Sequence, residues 1–303
     1  MVAPWTPLGL MPPAVRGPLW MVLACVAFAG LWVFIRLLSE AMHPFSVVVW
    51  RNLFGLLWLA PMLLMTPGLL RRERLPGHVQ RAASGTIATF ATFYAVANAP
   101  LAMVLAINYT APLFATIGAV LFLGEKIRGY RTAALLAGFA GMLVVLRPGA
   151  VAIDLPIVAA VVSAIATAYS LVAIKALTGR DDPRAVAAWS FILMTPVSIL
   201  VAIPFWSAPP ANAWPLLVGM GACAAAGQMA LSQAFAAAEA SAVMPFDFVR
   251  FGLITLAGVL LFNERYDWLT LLGGAVILSA SIFIAVRERI MRSQTRPSAS
   301  VDT

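Results

Sequence analysis

Residues 240–265 read ASAVMPFDFVRFGLITLAGVLLFNER. The stretch is long and apolar enough to cross a bilayer, which takes about 20 mostly apolar residues, yet it carries Asp247 and Arg250 near its middle. An ionisable group at the centre of a span costs roughly 2.5–3.5 kcal/mol on insertion scales. Three positions apart on a helix, the two share a face and can partly neutralise each other. That face is the natural wall of a polar cavity.

The stretch has a partner earlier in the chain. Subtracting 139 from its numbers gives residues 101–126, LAMVLAINYTAPLFATIGAVLFLGEK. Glu264-Arg265 then falls on Glu125-Lys126, Asp247 on Asn108, Leu260 on Leu121 and Val243 on Val104. The same offset places Lys175 on Arg36, Trp189 on Trp50, Gln233 on Tyr94 and Gln228 on Thr89. One shift serves without gaps from about Ala24 to Glu125, which marks an internal repeat.

Of 303 residues, 62% are hydrophobic and 11% charged, with a mean hydropathy of +0.93. Ordinary soluble domains are about 25% charged, so the composition describes a polytopic membrane protein. Apolar runs of spanning length fall at 18–38, 45–65, 79–98, 101–123, 130–147, 155–177, 185–206, 213–236, 241–262 and 267–286. The expected fold is all-α, with ten transmembrane helices. The third and eighth runs are rich in Ala, Gly, Ser and Thr, which let helix backbones approach closely, so both are expected inside the bundle. Residues 18–38 are too long for the apolar region of a signal peptide, and their repeat counterpart is internal, so they read as an uncleaved first span.

Ten spans put both termini on one side. With the N-terminus inside, the inner segments hold Arg16, Arg71, Arg72, Arg74, Arg81, Lys126, Arg128, Arg131, Lys175, Arg180, Arg184, Arg287, Arg289, Arg292 and Arg296, which is 15 of the 20 basic residues. Positive charge concentrates on the cytoplasmic side of membrane proteins, so both termini are expected there. The net charge of +8 is then a topology device, and a nucleic-acid partner is not expected. Five spans per repeat is an odd number, so the second half must enter the membrane upside down relative to the first. Inverted repeats of this kind build secondary transporters, with the substrate site near the midplane between the halves. Tails are expected at 1–17 and 288–303, and the two repeats at 18–148 and 149–287.

Little supports catalysis. His43 and His78 are the only histidines and fall at opposite faces. Cys25 and Cys223 both sit in apolar segments and suit neither a disulfide framework nor a zinc site. No phosphate-binding loop occurs, and no His, Cys and carboxylate cluster has metal-ligand spacing. No metal and no cofactor is expected. The chain is not expected to be an enzyme, although a membrane-embedded enzyme or assembly subunit stays in view as the rival class.

The tentative substrate-binding set follows from ionisable and polar groups inside spans. Arg250 is about nine residues from the inner end of its span, or roughly 14 Å, where a guanidinium can hold a carboxylate bidentately. Asp247 can pair with Arg250, accept a substrate ammonium or exchange a coupled proton. A structural ion pair is the plain alternative. Arg51 lies about six residues inside the second span, placed either to line the cavity or to snorkel outward beside Trp50. Asn108, Tyr94, Gln228 and Trp189 complete the set, against the alternative that buried amides and aromatics serve as helix-to-helix glue or as belt residues near span ends. Pro112 and Pro245 break the fourth and ninth spans and read as hinges. Glu125 and Glu264 end those spans and read as structural. A carboxylate is disfavoured at a helix C-terminus, so each is expected to cap the following helix or pair with Lys126 or Arg265.

The pattern Pro44…Arg51, then Pro112…Gly124-Glu125, then Gly138 and Gly141 resembles the EamA-type half of the drug/metabolite transporter superfamily. The second half repeats it more loosely, with Asn263-Glu264 and then Gly273-Gly274. The resemblance covers residues 20–288. It implies ten helices in two inverted repeats around a central cavity, alternating access, and location in a bacterial inner membrane.

Taken together, these readings lead to a secondary transporter of a small metabolite. An exporter of an amino-acid-like or carboxylate-bearing zwitterion, such as an opine-type metallophore, suits Arg250, Asp247 and Arg51, and rests on an unpaired guanidinium in the cavity. An importer of S-adenosylmethionine or of a vitamin such as riboflavin is the alternative. Besides the metabolite and the bilayer, protons are the candidate coupling ion, and both monomer and homodimer are compatible with a bundle that closes its own core.

Overall fold

The computed structural model describes residues 13–70, 73–111, 114, 136–137, 140–141, 143–144, 153–238, 243–265 and 267–294. The expected fifth span, apart from those few positions, lies outside the described residues, as do Pro112, Glu125 and Lys126. The described residues form nine α-helices, which we label α1 (Pro13–Ser39), α2 (Pro44–Met65), α3 (Leu75–Asn98), α4 (Leu101–Asn108), α5 (Leu155–Thr178), α6 (Pro183–Ala202), α7 (Trp214–Ala237), α8 (Phe248–Phe262) and α9 (Trp268–Gln294). No strand occurs among them.

Five of these segments are long and apolar enough to cross a membrane: Arg16–Ser39, Pro44–Met65, Leu155–Thr178, Pro183–Phe205 and Ala211–Ala237. Their outward faces carry Leu57, Leu64, Val172 and Leu200 in the open, and the shorter apolar helix α8 does the same with Leu260 and Leu261, as a surface facing lipid requires. This is an all-helical polytopic membrane protein.

The helices pack in a pattern that the repeat dictates. The first helix of each half lies along the third helix of the other, α1 on α7 and α3 on α5. The fourth helix of each half meets the first of the other, α8 against α1 and α4 against α5. α2 and α6, the two second helices, pack on each other. This exchange is what a two-fold relation between the halves produces. Gly17 at the start of α1 abuts Ala238, with its β-carbon position 2.6 Å from that of Ala238. The Ala238 carbonyl is held by Lys175 near the end of α5. The start of one first helix is thus beside the end of the other, and the two halves run in opposite senses.

Both second helices open the same way. His43 caps α2, its Nδ1 accepting from the Phe45 amide at 3.2 Å, and Asp182 caps α6, its Oδ1 accepting from the Arg184 amide at 2.8 Å. Each cap is followed by a proline, which is pre-shaped for the first helical position. Small residues of α7 allow the closest approaches. A β-carbon at Gly221 would lie 2.8 Å from the carbonyl carbon of Phe54, and one at Gly227 would lie 2.6 Å from the Phe28 ring. The eighth apolar run thus packs closely on α1 and α2, as its small residues allow.

The ninth run is broken. Met244–Asp247 forms a 3-10 turn and the α-helix starts only at Phe248, consistent with Pro245 removing a backbone donor there. The fourth run breaks at the matching depth, with α4 ending at Asn108 and Tyr109 and Thr110 in a turn. α8 ends on Asn263 in the left-handed region, φ 50°, where Asn and Gly are the residues of choice; Gly124 stands at that position of the first repeat.

Glu264 makes a contact across the repeats. Its two carboxylate oxygens accept from the Leu101 amide at 3.1 and 3.2 Å. The carboxylate caps α4 in the opposite repeat. A helix N-terminus offers unsatisfied donors and favours negative charge, and the inverted packing brings α4 to the end of α8.

Candidate functional site

Between the halves lies a cavity of about 170 Å³, bounded by residues of α1 to α8. Of the seven tentative binding residues, five line it: Arg51, Asn108, Gln228, Asp247 and Arg250. Tyr94 and Trp189 are not among the lining residues. Tyr94 packs towards Phe45, with centroids 6.4 Å apart, and Trp189 sits against His78 at 5.7 Å.

One end of the cavity is built around the two breaks. Arg250 donates to Asp247 Oδ2 at 2.7 Å across one turn. The Tyr109 hydroxyl donates to the Asp247 carbonyl at 2.7 Å, tying the break of the fourth run to that of the ninth. The guanidinium carbon lies 5.6 Å from the Tyr109 ring and 5.9 Å from the Phe28 ring, within cation–π range. Cys25 Sγ donates to Asp247 Oδ1 at 3.6 Å. Arg250 is therefore paired within the chain, and the expectation that rested on an unpaired guanidinium here is corrected. The reason is local: positions i and i+3 of a helical segment face each other. Asn108 is also engaged on both sides, donating to the Val104 carbonyl and accepting from Ser163, each at 3.0 Å.

The other end carries Arg51 and Arg81. Arg51 does not snorkel outward, being 4% exposed. It donates to Asn52 Oδ1 at 2.7 Å and lies over the Phe191 ring at 5.0 Å, while Asn52 donates to Ser198 at 3.1 Å. Arg81, grouped above with the basic residues of the inner segments, is instead 3% exposed, lines the cavity and donates to Gln228 Oε1 at 2.9 Å. Its helix is turned so that position 81 faces α7 across the interior. A sequence signal existed, since Arg81 falls three residues into the third apolar run. A charge in the first turn of a span reads equally well as an interfacial anchor, and so it was missed. Phe28, Trp32, Phe93 and Ser170 also line the cavity and were missed, because nothing in residue type alone separates an inward aromatic from a core one.

Beyond Arg81 the bundle is clasped. Arg74 forms an ion pair with Asp181 Oδ1, and His78 Nε2 lies 3.1 Å from Asp181 Oδ2. Both donors belong to the start of α3 in the first half, and Asp181 follows α5 in the second. At the opposite end, Ser46 Oγ donates to the Phe205 carbonyl at 2.6 Å, beside Trp50, Trp206 and Trp214. Among the described residues, no cluster of His, Cys, Asp and Glu is arranged to hold a metal ion.

Two helical repeats of opposite sense, joined by contacts at both ends of a charged cavity at the level of broken helices, define a membrane transporter built for small solutes. The family model of the EamA-like transporter family matches residues 15–147 and again 154–286. The chain belongs to that family, and is a transporter, not an enzyme. A riboflavin transporter of Rhizobium johnstonii is 35% identical over 289 residues, 94% of this chain and 95% of that one. An S-adenosylmethionine uptake transporter of Rickettsia bellii is 27% identical, covering 89% and 93% of the two chains. The Pseudopaline exporter CntI of Pseudomonas aeruginosa is 28% identical, covering 89% and 95%.

Proposed function

We propose that this chain carries riboflavin or a closely similar flavin across the bacterial inner membrane by alternating access. The observation that carries the reading is the full-length similarity, at 35% identity, to a protein named as a riboflavin transporter. The cavity suits it chemically. A flavin is a flat, carbonyl-bearing ring with a hydroxylated tail. Phe28, Trp32, Phe93 and Tyr109 offer ring surfaces, and Arg250 and Gln228 offer donors to carbonyl oxygens. Drug-sized ligands occupy roughly 300–1,000 Å³, so a cavity of about 170 Å³ must widen to take one. Pro245 and Pro112 are the hinges in this reading, the domains are the two repeats at 18–148 and 149–287, and the end bearing Arg74 and Arg180 is cytoplasmic, as are both termini.

A second reading, export of a carboxylate-bearing zwitterion, is favoured by one observation. Among the described residues, the cavity lining holds three guanidinium groups and one carboxylate. The same excess argues against S-adenosylmethionine, whose sulfonium would be repelled. Labelled riboflavin flux in vesicles made with and without the chain tests the first reading. Saturable flux, competed by flat flavin analogues and lost in Arg250→Ala at normal expression, is expected. Flux no greater than in empty vesicles, or competition by amino acids alone, overturns it.

A further inference from the structure

Arg51 and Arg81 are the least expected groups in the interior. They project from α2 and α3 into the same cavity, at 4% and 3% exposure. Neither has a carboxylate partner among the described residues; their hydrogen bonds go to neutral amides, Asn52 and Gln228. Arg51 Nε and both Nε and one terminal amino group of Arg81 have no partner at all there. The two cations also lie within each other's electrostatic reach. Asp247, the one carboxylate among the described lining residues, is already taken by Arg250.

Buried charge without a counter-charge is the most costly arrangement available to a protein interior. An ordinary structural arginine would be given a carboxylate or a ring of carbonyls, as Arg36 is. Here the surroundings do the reverse. Gln228 and Asn52 orient the guanidiniums without neutralising them, and Phe191 covers one face of Arg51. Gly85 leaves room beside Arg81: a β-carbon there would stand 3.9 Å from its terminal nitrogen and 3.8 Å from the Ser170 hydroxyl. Two cations thus face the cavity with no carboxylate bound to either among the described residues.

We propose that the Arg51–Arg81 end of the cavity is a binding site for a small anion, bound by paired guanidiniums with Gln228 and Ser170 beside them. This extends the transport reading, because a neutral flavin at the Arg250 end leaves these two charges uncompensated. The anion is either a free inorganic one that accompanies the substrate or a carboxylate carried by the substrate itself. Bidentate geometry favours planar and tetrahedral oxyanions, and the contact of Gln228 from the second repeat makes occupancy a link between the halves.

The test is thermal melting of the purified full-length chain in detergent. Chloride, formate or inorganic phosphate is titrated at constant ionic strength against a bulky organic sulfonate. A saturable rise is expected, about 5 °C at a hundredfold excess over the midpoint, and its loss in Arg51→Gln/Arg81→Gln. Saturation by chloride or phosphate identifies a free anion; saturation by formate alone identifies a substrate carboxylate. The double variant should melt no lower than wild type in sulfonate buffer, since it removes a repulsion. Should it fail to fold, Arg81→Lys keeps the charge and should retain a weaker saturable shift. No saturable shift with any of the three anions, or an equal shift in the double variant, overturns the proposal. Because the readout is binding, it can succeed where riboflavin flux fails, and the two readings fall separately.

Discussion

Arg36 and Lys175, 139 residues apart, perform the same task in opposite halves of the bundle. Arg36 donates to the carbonyls of Val96, Ala97 and Ala99 at 2.9, 3.1 and 3.3 Å. Lys175 donates to those of Phe235 and Ala238 at 2.8 and 3.1 Å. Val96 and Phe235, and Ala99 and Ala238, are themselves separated by 139. The last carbonyls of a helix have no partner within it, and within a membrane they must find one in the protein. A cation supplies several donors and complements the negative end of the helix dipole.

Replacing either cation should therefore cost stability. Hydrogen bonds to charged groups contribute about 1.5–3 kcal/mol, and Arg36→Gln or Lys175→Met is expected to lose an amount in that range. Lys175→Arg and Arg36→Lys should retain most of it, since each residue already does the other's work. Melting of the detergent-solubilised variants, followed by loss of monodisperse protein on heating, checks this.

The Asp247–Arg250 pair should separate stability from transport. Removing one partner of a fully buried pair costs about 3–5 kcal/mol. The loss here should be smaller, because the two side chains keep 18% and 21% exposure to the cavity. Asp247→Asn and Arg250→Gln should each melt below wild type. The double variant should recover much of that loss while transport stays at least tenfold down. Recovery of flux together with stability would reduce the pair to a structural lock.

How far the sequence could be read follows from what each residue's signal depends on. The repeat was legible because a constant offset is a property of the string, and Arg250, Asp247 and Arg51 stood out because charge inside an apolar run is costly wherever it points. Arg81 escaped because its distance from the span end suits an anchor as well as a lining group, and only the rotation of α3 decides between them. The sequence offers Glu264 only neighbours such as Arg265, yet its contact with Leu101 lies 163 positions away and is set by how the inverted halves dock. Tyr94 and Trp189 show the same gap: residue type suggests a ligand contact, while helix rotation turns them to Phe45 and His78.

Glycine positions give a graded test of the packing. Gly221→Ala places a β-carbon against the backbone of Phe54, at 2.8 Å from its carbonyl carbon. Gly55→Ala places one against the Phe191 ring, at 2.8 Å from Cδ1. Overpacking typically costs about 1–3 kcal/mol. Gly221→Ala should fall at or above the top of that range, because backbone cannot swing aside. Gly55→Ala should also disturb Arg51, which Phe191 covers. Gly252, with no described atom within 4 Å of its β-carbon position, should accept alanine and gain up to about 1 kcal/mol from helix propensity. Melting temperatures of the three variants, ranked, decide it.

His43 and Asp182 occupy equivalent caps, but they should fail at different acidities. Burial lowers the His43 imidazole below its usual 6.5, so the folded protein takes up its proton later than the unfolded chain does. Its contribution is complete above pH 6.5 and is lost as pH falls through the depressed value, because a protonated ring cannot accept from the Phe45 amide. Burial pushes the Asp182 carboxyl upward, but hydrogen bonds from the Arg184 side chain and backbone outweigh it, and the net shift is below 3.8. That cap persists until far lower pH. Wild-type melting temperature should fall between pH 7 and 5, whereas His43→Asn, which caps without titrating, should flatten that step.

The clasp at Asp181 should control access from its end of the bundle. Arg74 and His78 reach it from the start of α3, and Asp181 belongs to the other half, so an opening between the halves at this end must break both contacts. Asp181→Asn leaves the shape nearly unchanged while removing the charge that holds them. In a background with Cys25→Ala and Cys223→Ala, a cysteine placed at the cavity-lining Ser170 should react with a membrane-impermeant maleimide several-fold faster when Asp181→Asn is added. A cysteine at Ser46, by the opposite closure, should react no faster, and more slowly if opening one end shuts the other. Equal rates at Ser170 with and without Asp181→Asn would show that the clasp is packing alone.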